Sequence, residues 1–219
     1  MDEIVSSRGA RRAARTRQRL TDAATLLIAE KGVSGLRISE ITERADVALG
    51  SFYNHFKTKD ELVEAVVADT IEVRAQAIVA RMDELPDPAE KVSFACRRVV
   101  RIALEDSELA WLFVNLDRAD ALFETIVHRY ALGALEEGLA SGRFMIADAD
   151  IALTAMVGGA IAVMRAILDG RFGPDADEVF AEATLRSIGI PHDEAVSIAH
   201  RALPPLAVAV AVAAAAAAA

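Results

Sequence analysis

The sequence predicts an all-α fold: an N-terminal three-helix helix-turn-helix domain followed by a larger helical domain, nine to ten helices in total. Alanine makes up roughly a fifth of the 219 residues and aromatics only 5%, a composition that favours helix over strand. No segment alternates apolar and polar residues with the period of a strand, and each interruption of the helical period carries turn chemistry. A hydrophobic content of 53% supports a real core, either one large domain or a small one beside a larger.

Residues 1–15 carry Arg8, Arg11, Arg12 and Arg15, and Arg17 and Arg19 follow directly. They read as a basic, flexible arm suited to lying along a phosphate backbone or entering a minor groove. A first helix follows in TRQRLTDAATLLIAEKG. In the next, Ile38, Ile41, Thr42 and Ala45 recur at spacings of three and four, which puts them on one face and leaves Ser39, Glu40, Glu43 and Arg44 outside. The corner Asp46-Val47-Ala48 is short, and Asp is among the few non-glycine residues that tolerate positive φ there. A second helix starts near Leu49. Leu49, Phe52 and Phe56 are expected to share its buried side, with Ser51, Tyr53, Asn54 and His55 outward. Thr58 is an N-cap with Glu61 three residues on, so a long helix is expected from there to about Leu85, where PDP ends it.

The run SFYNHFKTKDEL, preceded by I-x-x-I and the long first helix, is similar to a small-aromatic-Tyr-x-x-Phe-x-x-Lys-x-x-Leu signature. On these motifs residues 16–62 resemble the DNA-binding domain of the tetracycline-repressor (TetR) family of one-component bacterial regulators. Three positions depart from the pattern: Asp46 replaces the usual turn Gly, Ala48 a capping Ser or Thr, and Arg37 stands where a cap often precedes the second helix. The resemblance implies a sequence-specific regulator that binds double-stranded DNA at a palindromic operator, most simply a repressor released by a small-molecule effector. It implies Tyr53 and Lys59 as phosphate contacts, with His55 and Thr58 adding to them, and Ser51, Asn54 and His55 as the positions that reach bases. Arg37 and Ser39, opening the motif's first helix, join this set. The charge agrees: residues 1–60 carry eleven Lys and Arg against eight Asp and Glu, whereas the remainder carries thirteen against twenty-five, which points to an N-terminal polyanion-binding domain.

Residues 63–203 form the expected effector-binding and dimerisation domain, with helices over 88–105, 107–117, 119–141, 148–169, 175–188 and 191–203. In similar proteins the last two long helices make a four-helix bundle across a homodimer, and 148–169 and 175–188 match them. The first of these is apolar nearly all round, which requires burial on two sides, and Ala155, Gly158, Gly159 and Ala162 would let a partner helix approach closely. The signal pocket in such proteins lies among the helices after the long one. Phe94, Cys96, Trp111, Phe113, Phe123, Val127, Tyr130 and Met156 are the candidates for lining it, for an apolar or aromatic effector. Arg97, Arg98 and Arg101 are expected as a solvated or salt-bridged surface, their alternative use being to neutralise an acidic ligand.

No Ser/His/Asp or Cys/His grouping, paired catalytic carboxylates or phosphate-cradling loop suggests an enzyme. No cofactor is implied, and four scattered His residues give no metal-ligand spacing. The terminus lacks a secretory apolar run, so a cytoplasmic protein is expected. The low-complexity tail, 204–219, has an apolar run too short to cross a membrane. The alternative reading is a helical module that binds a ligand or a protein but no operator.

Overall fold

The computed structural model describes residues 2–115 and 119–206, with side chains described at 9–115, 128 and 131–206. Among them lie eleven helical segments and no strand. They are α1 (Asp2–Lys31), α2 (Ile38–Arg44), α3 (Leu49–Tyr53), α4 (Lys59–Met82), α5 (Pro88–Val100), α6 (Ile102–Glu105), α7 (Ser107–Val114), α8 (Ala119–Ala140), α9 (Ala149–Leu168), α10 (Ala176–Ser187) and α11 (His192–Ala199). The chain packs as two units, one ending at Thr70 and one beginning at Ile71. The N-terminal unit thus takes the first half of α4, beyond the boundary after residue 62 that the motif suggested.

Most expected helices appear with ends shifted by a few residues; two differ more. The basic segment 1–15, expected as a separate arm, is helical from Asp2 and continuous with α1. Its RRAARTRQRL run is built from good helix formers, with Gly9 as the sole strong breaker nearby. The segment 88–105, expected as one helix, is broken at Arg101 into α5 and α6.

In the N-terminal unit, Leu20, Ala24, Ile41, Phe52, Phe56, Leu62 and Val67 are fully buried or nearly so. Leu49, expected beside Phe52 and Phe56, is instead 53% exposed. A helical side chain covers the turn preceding its own Cα, and what precedes Leu49 is the open corner at Asp46 and Ala48.

In the second unit, helix starts are capped by side chains. Asp87 accepts from Ala89 N at 3.0 Å with Pro88 as the first helical residue, and Asp106 accepts from Leu109 N at 3.1 Å. Asp148 takes both Asp150 N and Ile151 N at 2.9 Å. The main core gathers Val92 of α5, Leu135 of α8, Leu153 of α9, Leu185 of α10 and Ile198 of α11 around Phe144. Gly138 admits the Phe144 ring: a Cβ at that position would lie 2.1 Å from it.

Against expectation, Arg97 and Arg98 are buried, not solvated. Arg97 Nε donates to Asp177 Oδ2 at 2.9 Å, its Nη2 to Glu178 at 2.9 Å and its Nη1 to the Arg201 carbonyl at 2.5 Å. Arg101 Nη1 reaches the same Asp177 carboxylate at 3.1 Å. The Asp177 side chain has no exposed surface, so its charge survives desolvation only because two guanidiniums surround it. Asp177→Asn is therefore expected to lower the unfolding free energy in urea by about 3 kcal/mol, because it leaves the buried Arg97 with only the partly exposed Glu178 as counter-charge and takes the buried partner from Arg101, while Arg97→Met/Asp177→Leu recovers most of that loss.

A second, more exposed tie joins the loop after α8 to the starts of α5 and α11. Arg143 forks onto Asp87 at 2.9 and 3.0 Å and reaches Glu194 at 2.7 Å. These bonds hold the Asp87 carboxyl below its ordinary value. Its stabilisation is complete at neutral pH and is lost as pH falls below about 3.9, the value of a free Asp, and through the lower folded value. Acid titration followed by circular dichroism should show Arg143→Met unfolding at higher pH than the parent; an unchanged midpoint would mean the tie contributes nothing.

Candidate nucleic-acid interface and effector cavity

The helix-turn-helix is assembled from α2, the corner 45–48 and α3. Asp46 takes φ 49°, the left-handed conformation expected of a turn with no glycine. Neither Arg37 before α2 nor Ala48 before α3 makes a side-chain cap. The corner is instead held from α1: Arg19 Nη2 donates to the Asp46 carbonyl at 2.9 Å and to its carboxylate at 3.1 Å. Arg17 secures the other end, donating to the His55 carbonyl at 3.3 Å with its guanidinium 4.2 Å from the Phe56 ring centre. Both belong to the motif's framework, a use the sequence did not reveal. Arg11, Arg12 and Arg15 are exposed along α1, and the Arg8 side chain lies outside the described residues.

With Phe52 and Phe56 buried, α3 turns Tyr53 and Asn54 outward. Tyr53 is 57% exposed, and its ring meets Phe52 edge-on at 5.3 Å. Ser51 and His55 are half-buried, and Arg37 and Ser39 are exposed at the start of α2. Thr58 caps α4, its hydroxyl accepting from Glu61 N at 3.1 Å while Glu61 reaches back to Lys57 N at 2.7 Å. That hydroxyl keeps its proton for a further acceptor. Lys59 is half-buried, its ammonium donating to the Val33 carbonyl at 3.4 Å, so it helps fasten α4 to the loop before α2. Two exposed residues on this surface escaped the sequence reading: Lys57, and Gly50, where a Cβ would meet nothing within 4 Å. Two charged side chains of α2 are already engaged by the end of α1, Glu40 by Lys31 at 2.5 Å and Arg44 by Glu30 at 2.6 Å. The Lys31 hydrogen bond also holds the Glu40 carboxyl below its usual value.

In the second unit an apolar cavity of about 50 Å³ lies between α4, α5, α8 and α9, lined by Met82, Val92, Ala95, Cys96, Val99, Ala131, Ala134, Leu135, Leu153, Met156, Val157 and Ala160. Of the expected pocket residues, Cys96 and Met156 are in this wall. Phe94 is buried in an adjoining cluster with Ile78, Met82 and Ala134. Phe113 is fully buried but lines no part of the cavity, and Trp111 is 58% exposed. The side chains of Phe123, Val127 and Tyr130 lie outside the described residues. Sequence reasoning favoured aromatics, whereas open space is left by Ala and Val and by the adaptable thioether of Met. Burial pushes the Cys96 thiol up to about 12, with a hydrogen bond from Thr184 opposing the shift, so it stays a neutral thiol.

A larger recess of about 360 Å³ runs along α9, lined by Leu153, Thr154, Val157, Gly158, Ile161, Ala162 and Arg165 and by His128 of α8. His128 Nε2 and Asp150 Oδ1 are 2.7 Å apart. Helix α9 is long and apolar enough to cross a membrane, yet only 28% of that stretch is buried. Expected burial on two sides is thus met on one. Ile151, Ala155, Gly158 and Ala162 are exposed. Gly159 differs from them: a Cβ there would come within 3.0 Å of Phe180, so its place is in the packing of α9 on α10 of the same chain.

Comparison with known proteins covers both units. Residues 20–66 match the bacterial regulatory proteins of the tetR family, and residues 87–201 match the tetracyclin repressor-like C-terminal domain. The structure of RolR in complex with resorcinol is 37% identical, covers 90% of this chain and 100% of that one, and superposes with a TM-score of 0.81. RolR without ligand gives 36%, 87% and 100%, and a TM-score of 0.78. The transcriptional repressor KstR2 of Mycolicibacterium smegmatis is 29% identical over 77 residues, 35% of this chain; the match spans only 38% of that relative's length. With both its units matched and its helix-turn-helix formed, the chain belongs to the tetR family of bacterial regulatory proteins and is a DNA-binding regulator of transcription.

Proposed function

We propose that the chain is a cytoplasmic, homodimeric repressor that reads a palindromic operator with α3 and leaves it when a small apolar or aromatic effector enlarges the cavity. The observation that carries the reading is the division of labour across α3 and the turn after it: Phe52 and Phe56 are buried while Tyr53 and Asn54 face outward. Tyr53, Lys57 and the Thr58 hydroxyl supply phosphate contacts at the start of α4, where the helix dipole also favours an anion. Lys59, tied to Val33, contributes its charge more than a direct bond. Asn54 and Ser51 read base edges, and Gly50 lets the backbone approach. Arg37 and Ser39 add contacts from α2.

An apolar effector is supported by the cavity's lining, and an aromatic one, by analogy, by the resorcinol held in RolR. A cavity of about 50 Å³ is smaller than the roughly 150 Å³ of an engineered cavity that accepts benzene. Binding must therefore push the walls apart, and Met82 and Met156 have the freedom to move. Met82 closes α4, the helix that Lys59 opens, so displacement at one end of that helix is passed to its other end. A coupling of about 1–3 kcal/mol suffices for 5- to 150-fold release.

The exposed, small-residue face of α9 supports the dimer. Two recognition helices about 34 Å apart then meet successive major grooves. Because nothing among the described residues lies within 4 Å of a Cβ at Gly158, Gly158→Arg should leave the protomer folded but monomeric by light scattering, with operator affinity falling steeply. A Gly158→Arg protein that remains dimeric would remove α9 from the interface.

Selection from a random duplex pool is the direct test of DNA reading. A palindrome should be enriched by the parent protein, lose affinity at higher salt, and be lost with Tyr53→Ala; Asn54→Ala should relax preference at one position by about 1–3 kcal/mol. No enrichment from a folded dimer would favour the alternative, a helical module that binds a ligand but no operator.

A further inference from the structure

After α11 the chain continues as an extended segment, 201–206, laid across α5. Arg98, 8% exposed, donates through Nη2 to the Pro204 carbonyl, while its Nε has no hydrogen-bond partner among the described residues. The nearest carboxylate is Glu105 at 3.6 Å, and Asp177 is already taken by Arg97 and Arg101. A buried guanidinium with one carbonyl, one half-exposed carboxylate at 3.6 Å, the Phe94 ring 5.8 Å away and an unused Nε–H is incompletely compensated. Beside it, Leu203 and Leu206 of the segment pack on the cluster of Ile78, Met82, Phe94 and Ala134, against which Ala95 and Val99 also pack. Met82, Ala95, Val99 and Ala134 are at the same time cavity wall. The segment therefore presents a main-chain oxygen to a buried cation and two aliphatic side chains to the skin of the cavity.

We infer that segment 201–206 is an internal stand-in for a ligand: it occupies an amphipathic site whose natural occupant is a small apolar carboxylate, the anion on Arg98 and the aliphatic or aromatic body in the space of Leu203 and Leu206, opening into the cavity. A carboxylate offers Arg98 two acceptors where Pro204 offers one, and it brings the charge that a carbonyl lacks. Displacement of the strap also removes the lid over the Met82 wall, so one event frees both the cation and room for an apolar body. The inference rests on the ligand-responsive reading above for its consequence at DNA, not for the binding itself.

Calorimetric titration of the full chain without DNA tests it, with octanoate as probe and 1-octanol as the uncharged control. Leu203→Ser/Leu206→Ser, which loosens the strap without touching Arg98, should bind octanoate about tenfold or more tighter than the parent, as expected when a closed state that masks the site is removed. Arg98→Gln in that background should erase the preference for octanoate over octanol while octanol still binds, which also shows that the pocket remains formed; Arg98→Lys should restore part of the preference. Equal octanoate affinity in parent and loosened strap, both with the parent's helical content, would overturn the strap as a cover. A preference for octanoate that survives Arg98→Gln would overturn Arg98 as its anchor. Operator release is scored separately: octanoate binding without any effect on DNA leaves this site standing and sinks only the effector role.

Discussion

The second unit depends on a buried charge junction. Asp177, wholly buried on α10, is held by Arg97 and Arg101 of the α5–α6 segment, and Arg97 also reaches Glu178 and the Arg201 carbonyl. Such a junction contributes little net stability compared with a well-packed apolar one, but breaking it is costly, so α5 and α10 are held in the register that brings these side chains together. That register decides what else can form. With α5 fixed on α10, Val92, Ala95, Cys96 and Val99 are aimed at α8 and α9 as cavity wall. With α10 fixed, Phe180 lies where Gly159 must leave room for it, which seats α9. The cavity is thus the space remaining after charge has set the helix positions, and its apolar walls follow from the i, i+3, i+4 spacing of α5.

The N-terminal unit uses the same device on a smaller scale. A helix of five residues is far too short to persist alone, and α3 lacks a side-chain cap. Its position comes from Phe52 and Phe56 in the core and from two arginines of α1 that grip the corner before it and the carbonyl after it. Those arginines lie in a run that also supplies exposed cations one turn earlier. One basic helix therefore both builds the reading head and lends it positive potential; residues 1–60 carry eleven Lys and Arg against eight Asp and Glu, while the rest of the chain is acidic.

What was legible in the sequence follows local rules. The positive φ of Asp46, the Thr58–Glu61 cap, the Asp87-Pro88 start and the buried pair Phe52 and Phe56 are each fixed by residues within a few positions of one another, and each appears as read. What was not legible depends on distance. Arg97 and Asp177 are 80 residues apart, so nothing near Arg97 distinguishes a buried guanidinium from a surface one. The cavity was sought among aromatics, yet a large ring fills space, as Phe113 does, or finds none, as Trp111 does at the surface. Leu49 failed for a related reason: periodicity assigns a face without saying where the opposing surface stops.

Helix α9 carries the remaining argument about partners. Its composition alone fits a lipid, and 28% of the stretch is buried among the other helices. The polar positions are informative. Asp148 caps its start, Asp150 pairs with His128, Thr154 bonds back to the Asp150 carbonyl, and Arg165 donates to the Val114 carbonyl at 2.6 Å. These charged groups sit at the two ends of α9, and each is joined to its own helix or to a neighbouring element of a folded, many-helix unit. Between them the exposed stripe Ala155, Gly158 and Ala162 is nearly flat. Close approach of a second helix needs small residues on the side facing it, just as Gly159 accommodates Phe180 on the side already filled. Of the two adjacent glycines, Gly159 thus lies on a face that its own chain has closed and Gly158 on one that the described residues leave open.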